Sequence, residues 1–116
     1  MKIYLICPVR NITEEQQKGI KRYVYETEQS GDVVHYPPRD VNQDDPLGVN
    51  ICKLHRQAVK DCDEVHIFWD STSKGSHFDF GMAFALGKPI KLIKHYQPDI
   101  AEKSYLKVNK FENISN

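Results

Sequence analysis

The amino-acid sequence predicts one α/β domain: a three-layer sandwich in which helices cover both faces of a central, mostly parallel sheet of four to five strands. Four short, β-rich apolar segments alternate along the chain with segments of helical spacing. This alternation is typical of parallel sheets whose strands are joined by right-handed crossovers. A chain of 116 residues has room for one core of this kind, so we expect a single domain over residues 1–116.

The first strand and the first helix have clear boundaries. Lys2–Cys7 (KIYLIC) is almost continuously apolar, as expected for a strand that is buried on both faces, and Pro8 ends it. Thr13, followed three residues later by Gln16, forms a capping-box pattern that predicts the start of a helix. We expect this helix to end at Ser30-Gly31.

A second strand and a second long helix are predicted over the middle of the chain. Val33–Tyr36 (VVHY) is a short β-rich run followed by two prolines. Asp45-Pro46 predicts a helix cap with proline at the first helical position. From there, apolar side chains recur at helical spacing on one face, at Leu47, Ile51, Leu54, Ala58 and Cys62.

The last part of the chain repeats the alternation. Val65–Trp69 (VHIFW) predicts a third strand, and a helix follows from about Ser76 to Leu86. Gly87 supplies the left-handed residue that commonly follows a helix. Pro89–Lys94 (PIKLIK) predicts a fourth strand, and the remaining tail predicts a last helix and a short edge strand near Tyr105 to Val108.

Composition and cysteine use exclude several classes of function. Sixteen basic and sixteen acidic residues leave no overall field that would attract a nucleic-acid polymer. No run approaches the ~20 apolar residues of a membrane span, and we expect no secretion signal. Three cysteines without a Cys-x-x-Cys pair favour buried, reduced thiols in the cytoplasm over disulfides or zinc. His77-x-Asp79 is too sparse for a metal site, so we expect no metal.

The most informative segment joins the third strand to the helix that follows it. From Asp70 to Ser76 (DSTSKGS) it comprises a strand end, a loop of small residues and a helix start. Small side chains let backbone N–H groups approach a ligand, and a helix start adds unpaired N–H groups and partial positive charge. Lys74 adds a full charge. The segment therefore predicts a phosphate site, although the pattern of an NTP-binding P-loop is missing.

Four further residues have both a structural and a functional interpretation. Asp79 either ties off a helix capped by Ser76 or presents its carboxylate at the mouth of a pocket. His55 shares the apolar face of the second helix, so it is either a satisfied core residue or faces a ligand. Tyr4 is favourable strand material in its own right. Arg10, just past the first strand, is either a solvated loop charge or a phosphate ligand.

Two longer motifs resemble a known family. Gly75–Ala83 (GSHFDFGMA), followed by Leu86–Ile90 (LGKPI), is similar to the signature of the nucleoside 2-deoxyribosyltransferase superfamily, and Ile3–Arg10 resembles its first strand and loop. The Ser73-x-Gly75 spacing and the short loop over Pro8-Val9-Arg10 look most like the 2′-deoxynucleoside 5′-monophosphate N-hydrolases. The resemblance implies a Rossmann-like or flavodoxin-like fold, no cofactor, and a homodimer or higher homo-oligomer.

The resemblance also implies roles for individual residues. The family's strand tyrosine corresponds to Tyr4, and its phosphate-contacting serine and glycine correspond to Ser73 and Gly75. The glutamate that attacks or stabilises the anomeric carbon is replaced here by Asp79, and the helper aspartate is replaced by His55. The predicted phosphate site also includes Lys74, Ser76, Arg10 and Pro8.

We therefore expect cleavage of the N-glycosidic bond of a (deoxy)nucleoside 5′-monophosphate or nucleoside, by hydrolysis or by transfer of the sugar to another base. Asp79 would act as a nucleophile or stabilise an oxocarbenium ion, Tyr4 would hold that carboxylate, and His55 would donate a proton or position the substrate. The alternative is a nucleotide sensor of the same fold that has lost turnover through Asp79 and His55. A purely structural role would leave the protein indifferent to nucleotides.

Overall fold

The computed structural model describes residues 1–97. Over this range strands and helices alternate along the chain, in the order β1 (Lys2–Ile6), α1 (Glu14–Gln29), β2 (Val33–His35), α2 (Pro37–Asp40), α3 (Val49–Asp61), β3 (Glu64–Asp70), α4 (Lys74–Ala85) and β4 (Ile90–Gln97). The last helix and edge strand that the sequence predicts near Tyr105 to Val108 lie outside the described residues.

Within the described residues the sheet has four parallel strands in the order β2-β1-β3-β4, so the predicted α/β class is confirmed. The chain builds outward from β1 to β2 on one side and then from β3 to β4 on the other. The carboxyl ends of β1 and β3 flank this change of direction, which is where ligands bind in open sheets of this type. Tyr4 on β1 pairs with His35 on β2 and Val65 on β3.

Each face of the sheet carries its own apolar core. On one face α3 and α4 cover a cluster that includes Tyr4, Trp69 and Phe80. On the other face α1 covers a cluster that includes Leu5 and Phe68. Successive side chains of a strand point to opposite faces, so the two inner strands contribute to both clusters. The near-continuous apolar runs of β1 and β3 are explained by this double burial.

The predicted start of the first helix is confirmed. Thr13 Oγ1 accepts a hydrogen bond from the Gln16 backbone N–H at 3.0 Å, and Gln16 Oε1 accepts one from the Thr13 N–H at 3.0 Å. The two reciprocal bonds satisfy N–H groups that a helix start otherwise leaves unpaired. Gly31 follows the helix in the left-handed region, with φ of 102°, as its position predicted.

The predicted start of the second long helix is wrong. Helix α3 begins at Val49 after a left-handed Gly48 with φ of 72°, and not at Asp45-Pro46. Asp45 nevertheless contributes, because its Oδ2 accepts a hydrogen bond from the Ile51 N–H at 3.0 Å from outside the helix. Leu47 lies in the preceding turn and is 87% exposed, so it is not part of the apolar face.

Two further local predictions are corrected. Helix α4 begins two residues earlier than expected, because Ser73, and not Ser76, is the cap; its Oγ accepts a hydrogen bond from the Ser76 N–H at 3.2 Å. The two prolines that follow β2 do not only end the strand: they open the single helical turn α2, with proline at its first position. Gly87 ends α4 in the left-handed region, with φ of 67°, as predicted.

The three cysteines are free thiols in the structure. Cys62 is buried and Cys7 is partly buried, but Cys52 is exposed on α3, so the expectation of three buried thiols is wrong for Cys52. Among residues 1–97, no helix combines the length and the apolar character needed to cross a membrane.

Candidate active site

A cavity of about 530 Å³ lies at the carboxyl ends of β1 and β3. This volume is within the usual range of small-molecule sites. Its wall is formed by the loop after β1, the start of α2, His55 of α3 and the first two turns of α4 with the loop before them. The lining residues include Cys7, Val9, Arg10, Asn11, Pro37, Pro38, Gln43, His55, Thr72, Ser73, Lys74, Gly75, Ser76 and Asp79. Most of the predicted site residues therefore meet in one place.

Asp79 lies on the wall of this cavity and is tied to a strand and a second helix. Its residue is 8% exposed. Tyr4 Oη donates a hydrogen bond to Asp79 Oδ2 at 3.1 Å, and His55 Nδ1 lies 3.3 Å from Asp79 Oδ1. Because α4 begins at Lys74, Asp79 is in the second turn and is too far along to cap the helix. The interpretation of Asp79 as a helix-capping carboxylate is therefore wrong.

Tyr4 is fully buried beneath the cavity. Burial, and then the negative charge of Asp79, raise the pKa of Tyr4 far above its usual range. The side chain therefore remains a neutral phenol that can donate its proton to the carboxylate. The same two causes, in the same order, raise the pKa of Cys7 to about 12. Cys7 is thus a thiol at neutral pH and cannot serve as a thiolate nucleophile.

His55 approaches the carboxylate from α3. The ring of His55 meets the Tyr4 ring edge-on, with 6.0 Å between centroids and 70° between planes. Its side chain is 14% exposed. An ionised carboxylate only accepts hydrogen bonds, so His55 Nδ1 is the donor in this contact where Asp79 is ionised. The Nε2 atom is buried and has no hydrogen-bond partner among the described residues. His55 is therefore not a fully satisfied core histidine.

The first turn of α4 forms another part of the wall. The N–H groups of a first helical turn have no helical partners and carry partial positive charge, which favours an anion. Ser76 is 2% exposed, and its Oγ has no partner among residues 1–97. A Cβ atom added at Gly75 would meet open space, so the packing of the chain itself does not require glycine there. Lys74 and Arg10 are exposed beside this turn.

The structure removes one predicted residue, Pro8, from the cavity wall and adds His35 beside Tyr4. Pro8 is buried, and it is not among the residues that line the cavity. His35 was not predicted, yet its ring stacks on Tyr4 with 5.2 Å between centroids and 15° between planes. Burial is the main cause that lowers the pKa of His35. The signal that could have found it is strand register, because Tyr4 and His35 are paired.

Two other cavities have similar volumes. One of about 500 Å³ lies between α1 and α2 and is lined in part by Tyr25, Tyr36 and Arg39. The other, of about 540 Å³, lies beside β2 and includes His35 and Leu54. Neither includes Tyr4, His55 or Asp79. Volume alone does not select a site, but the clustered titratable side chains favour the cavity at the strand ends.

No family model matches the chain, and no curated protein matches it. Among solved structures it is similar to a CMP N-glycosidase from Clostridium botulinum, with 23% identity over 88% of this chain and 75% of that one and a TM-score of 0.60. A 2-deoxyribosyltransferase from Bacillus psychrosaccharolyticus gives 20% identity over 94% and 90%, with a TM-score of 0.70.

A 2-deoxyribosyltransferase from Leishmania mexicana gives 21% identity over 84% of this chain and 65% of that one, with a TM-score of 0.59. These similarities establish a shared fold. The expected deoxyribosyltransferase-like architecture is thus confirmed for the fold. The closer resemblance to monophosphate N-hydrolases stays a prediction.

Proposed function

We propose that the protein cleaves the N-glycosidic bond of a nucleoside 5′-monophosphate or a nucleoside. The observation that carries the proposal is the Asp79 carboxylate, held on the cavity wall by the Tyr4 hydroxyl at 3.1 Å and approached by His55 at 3.3 Å. The names of the structurally similar proteins, an N-glycosidase and two deoxyribosyltransferases, support the same class of reaction. The reaction needs no cofactor.

The charge of the site suits the chemistry. Cleavage of an N-glycosidic bond develops positive charge at the anomeric carbon and the ring oxygen. A fixed carboxylate in a largely buried wall stabilises that charge more strongly than water does, because the surroundings screen it less. The neutral Tyr4 phenol keeps Asp79 in place without cancelling its charge.

The start of α4 supports a phosphorylated sugar. Asp79 follows Lys74 by five residues, which corresponds to about 7.5 Å along the helix axis. This separation is comparable with the length of a pentose 5-phosphate. A phosphate at the first turn, near Ser73, Gly75, Ser76 and the charges of Lys74 and Arg10, would leave the sugar beside Asp79. We include these residues in the proposed binding site.

A nucleotide sensor is the second candidate. Both Asp79 oxygens already have protein partners, which favours a carboxylate locked in place over one free to react. The sensor would bind nucleotides in the same cavity but release no base.

Transfer of the sugar to a second base, in place of water, is the third outcome that the same site permits. We also propose a homodimer or higher homo-oligomer, to be tested by analytical ultracentrifugation.

The test is release of free base. The purified protein is incubated with ribo- and 2′-deoxynucleoside 5′-monophosphates and nucleosides of the common bases, and products are separated by chromatography. We expect release from at least one monophosphate, reduced by about 10³-fold in Asp79→Asn. The exposed carboxylate of Glu26 on α1 provides the matched control, Glu26→Gln.

The outcomes separate the candidates. Release that is lost in Asp79→Asn but kept in Glu26→Gln supports the enzyme. A nucleotide-dependent rise in melting temperature without release supports the sensor. Neither release nor a rise in melting temperature would exclude both.

A further inference from the structure

Gln43 is the residue that gives hydrogen-bonding character to the part of the cavity wall that follows β2. Among the described residues that line the cavity between β2 and α3, the others are Pro37 and Pro38, whose side chains carry no hydrogen-bonding group. Gln43 is exposed to solvent in the loop between α2 and α3. A side-chain hydrogen bond from this part of the wall to a ligand must therefore come from Gln43.

The orientation of the Gln43 amide is fixed by two backbone carbonyls. Gln43 Nε2 donates hydrogen bonds to the carbonyl oxygens of Pro37 and Val41, each at 3.1 Å. Turning the amide over would place Oε1 against the same two oxygens, where an acceptor would face acceptors. Both N–H groups of Nε2 are thus used within the protein. The capacity that remains is that of Oε1, an acceptor with no hydrogen-bond partner among residues 1–97.

The strand order places Gln43 at the base end of the proposed nucleotide. Strand β1 lies between β2 and β3, so the carboxyl ends of β2 and β3 are about 10 Å apart, which is two strand spacings. The proposed phosphate site at the start of α4 follows β3, and Tyr4 on β1 holds Asp79, beside which the anomeric carbon would lie. A nucleotide extended along this edge of the sheet places its base over the end of β2, beside Gln43.

We infer that Gln43 Oε1 accepts a hydrogen bond from an exocyclic amino group of the base, so that the protein favours amino bases over their oxo counterparts. The inference rests on the proposed function, from which it takes the positions of the phosphate and the sugar. Adenine carries an amino group at C6 and cytosine carries one at C4, whereas hypoxanthine and uracil carry a carbonyl oxygen at the same positions. The amino group donates to Oε1, but the carbonyl oxygen would face a second acceptor.

The first experiment measures binding without turnover. Asp79→Asn is titrated by calorimetry with two matched pairs of nucleoside 5′-monophosphates, AMP with IMP and CMP with UMP. Because Gln43 is exposed and water competes for Oε1, we expect the amino nucleotide of at least one pair to bind about tenfold more tightly than its oxo counterpart. A preference for the amino nucleotide in neither pair overturns the inference.

The second experiment removes the acceptor and keeps the donors. In the Asp79→Asn background, Gln43→Lys can still donate to the carbonyls of Pro37 and Val41 but offers no acceptor. We expect the affinity ratio within the pair to fall to one or to reverse, since the lysine can donate to a carbonyl oxygen of the base. The control is Gln29→Lys, which adds the same charge at the exposed end of α1 and should keep the ratio.

The ratio within a pair separates recognition of the base from a structural role of Gln43. A loop that is merely disturbed would weaken both nucleotides of a pair equally, so an unchanged ratio in Gln43→Lys contradicts the inference. Base release without a binding preference overturns the role of Gln43 and leaves the proposed function intact. Tighter binding of the amino nucleotide without base release from any compound supports the role of Gln43 and overturns the proposed cleavage.

Discussion

Two clusters of the same composition lie on opposite faces of the sheet. Each contains a tyrosine, a histidine and a carboxylate. On the face covered by α3 and α4, Tyr4 and His55 meet Asp79. On the face covered by α1, His66 is hydrogen-bonded through Nδ1 to Tyr23 and through Nε2 to Glu64, the latter at 2.9 Å.

The two clusters differ in whether the polar atoms of the histidine have hydrogen-bond partners. Both ring nitrogens of His66 have protein partners. None of the three residues of this cluster lines any of the cavities described above. In the other cluster, His55 Nε2 has no partner among the described residues and the carboxylate faces a cavity. Residue types alone do not distinguish a site from a structural tie. Here the distinguishing features are a carboxylate on a cavity wall and a histidine whose hydrogen-bonding capacity is not filled.

The largest expected effect concerns the alkylation of Cys7, whose pKa is raised first by burial and then by the negative charge of Asp79. With a pKa of about 12, Cys7 should be alkylated at pH 8 roughly 10³-fold more slowly than an ordinary exposed thiol, because only the thiolate reacts. Cys52 is that exposed reference. Iodoacetamide labelling with peptide mass spectrometry measures both rates. Labelling of Cys7 should rise with pH toward 12 and should be faster in Asp79→Asn, since a cause of its raised pKa is removed.

A similar labelling rate at both cysteines at pH 8 would contradict the buried, negatively charged surroundings of Cys7. The raised pKa of Cys7 also determines whether the free energy of unfolding rises or falls with pH. Below pH 9 the thiol is protonated in both states. As pH rises toward 12, the unfolded chain loses this proton first, so the free energy of unfolding should fall over that interval.

The second prediction compares the two tyrosines. Tyr4→Phe removes a hydrogen bond to a charged group, so base release should fall by roughly 10- to 100-fold. Tyr23→Phe removes one of the two partners of His66 and should lower the free energy of unfolding by about 1–3 kcal/mol while leaving release per folded molecule unchanged. Steady-state kinetics and urea denaturation measure the two effects. Equal losses of release in both variants would erase the distinction between the clusters.

Much of the fold follows from the sequence because its signals are local. Thr13 and Gln16 mark a helix start by a reciprocal bond within one turn, and Gly87 marks a helix end by its left-handed conformation. The start of α4 was harder to predict because the segment before it offers several hydroxyl groups that can cap a helix. Choosing Ser76 over Ser73 gave Asp79 a capping role that it does not have.

Only part of the candidate site could be predicted from the sequence. The family resemblance points to Asp79, Tyr4 and His55, but their contacts join β1, α3 and α4 and depend on how the helices pack. His35 was missed because its place beside Tyr4 depends on strand pairing across a crossover. Pro8 was included in the predicted phosphate site because it belongs to the loop that follows β1. In the structure the side chain of Pro8 is buried in the protein interior.

The smallest predicted effect concerns the proposed phosphate site. Gly75→Val adds a side chain where the chain itself leaves open space, so KM for the monophosphate should rise about tenfold if the phosphate fills that space. Gly81→Val is the matched control, because Gly81 is also in α4 and also faces open space. Kinetics and thermal melting of both variants measure this effect. An unchanged KM in Gly75→Val would contradict the proposal that the phosphate binds at the start of α4.

The most direct test of the whole account is a crystal structure of Asp79→Asn with a nucleoside 5′-monophosphate bound. We expect the phosphate at the N–H groups of the first turn of α4 and the anomeric carbon of the sugar against the side chain of residue 79. A nucleotide bound instead in the groove between α1 and α2, or with its sugar turned away from residue 79, would contradict it.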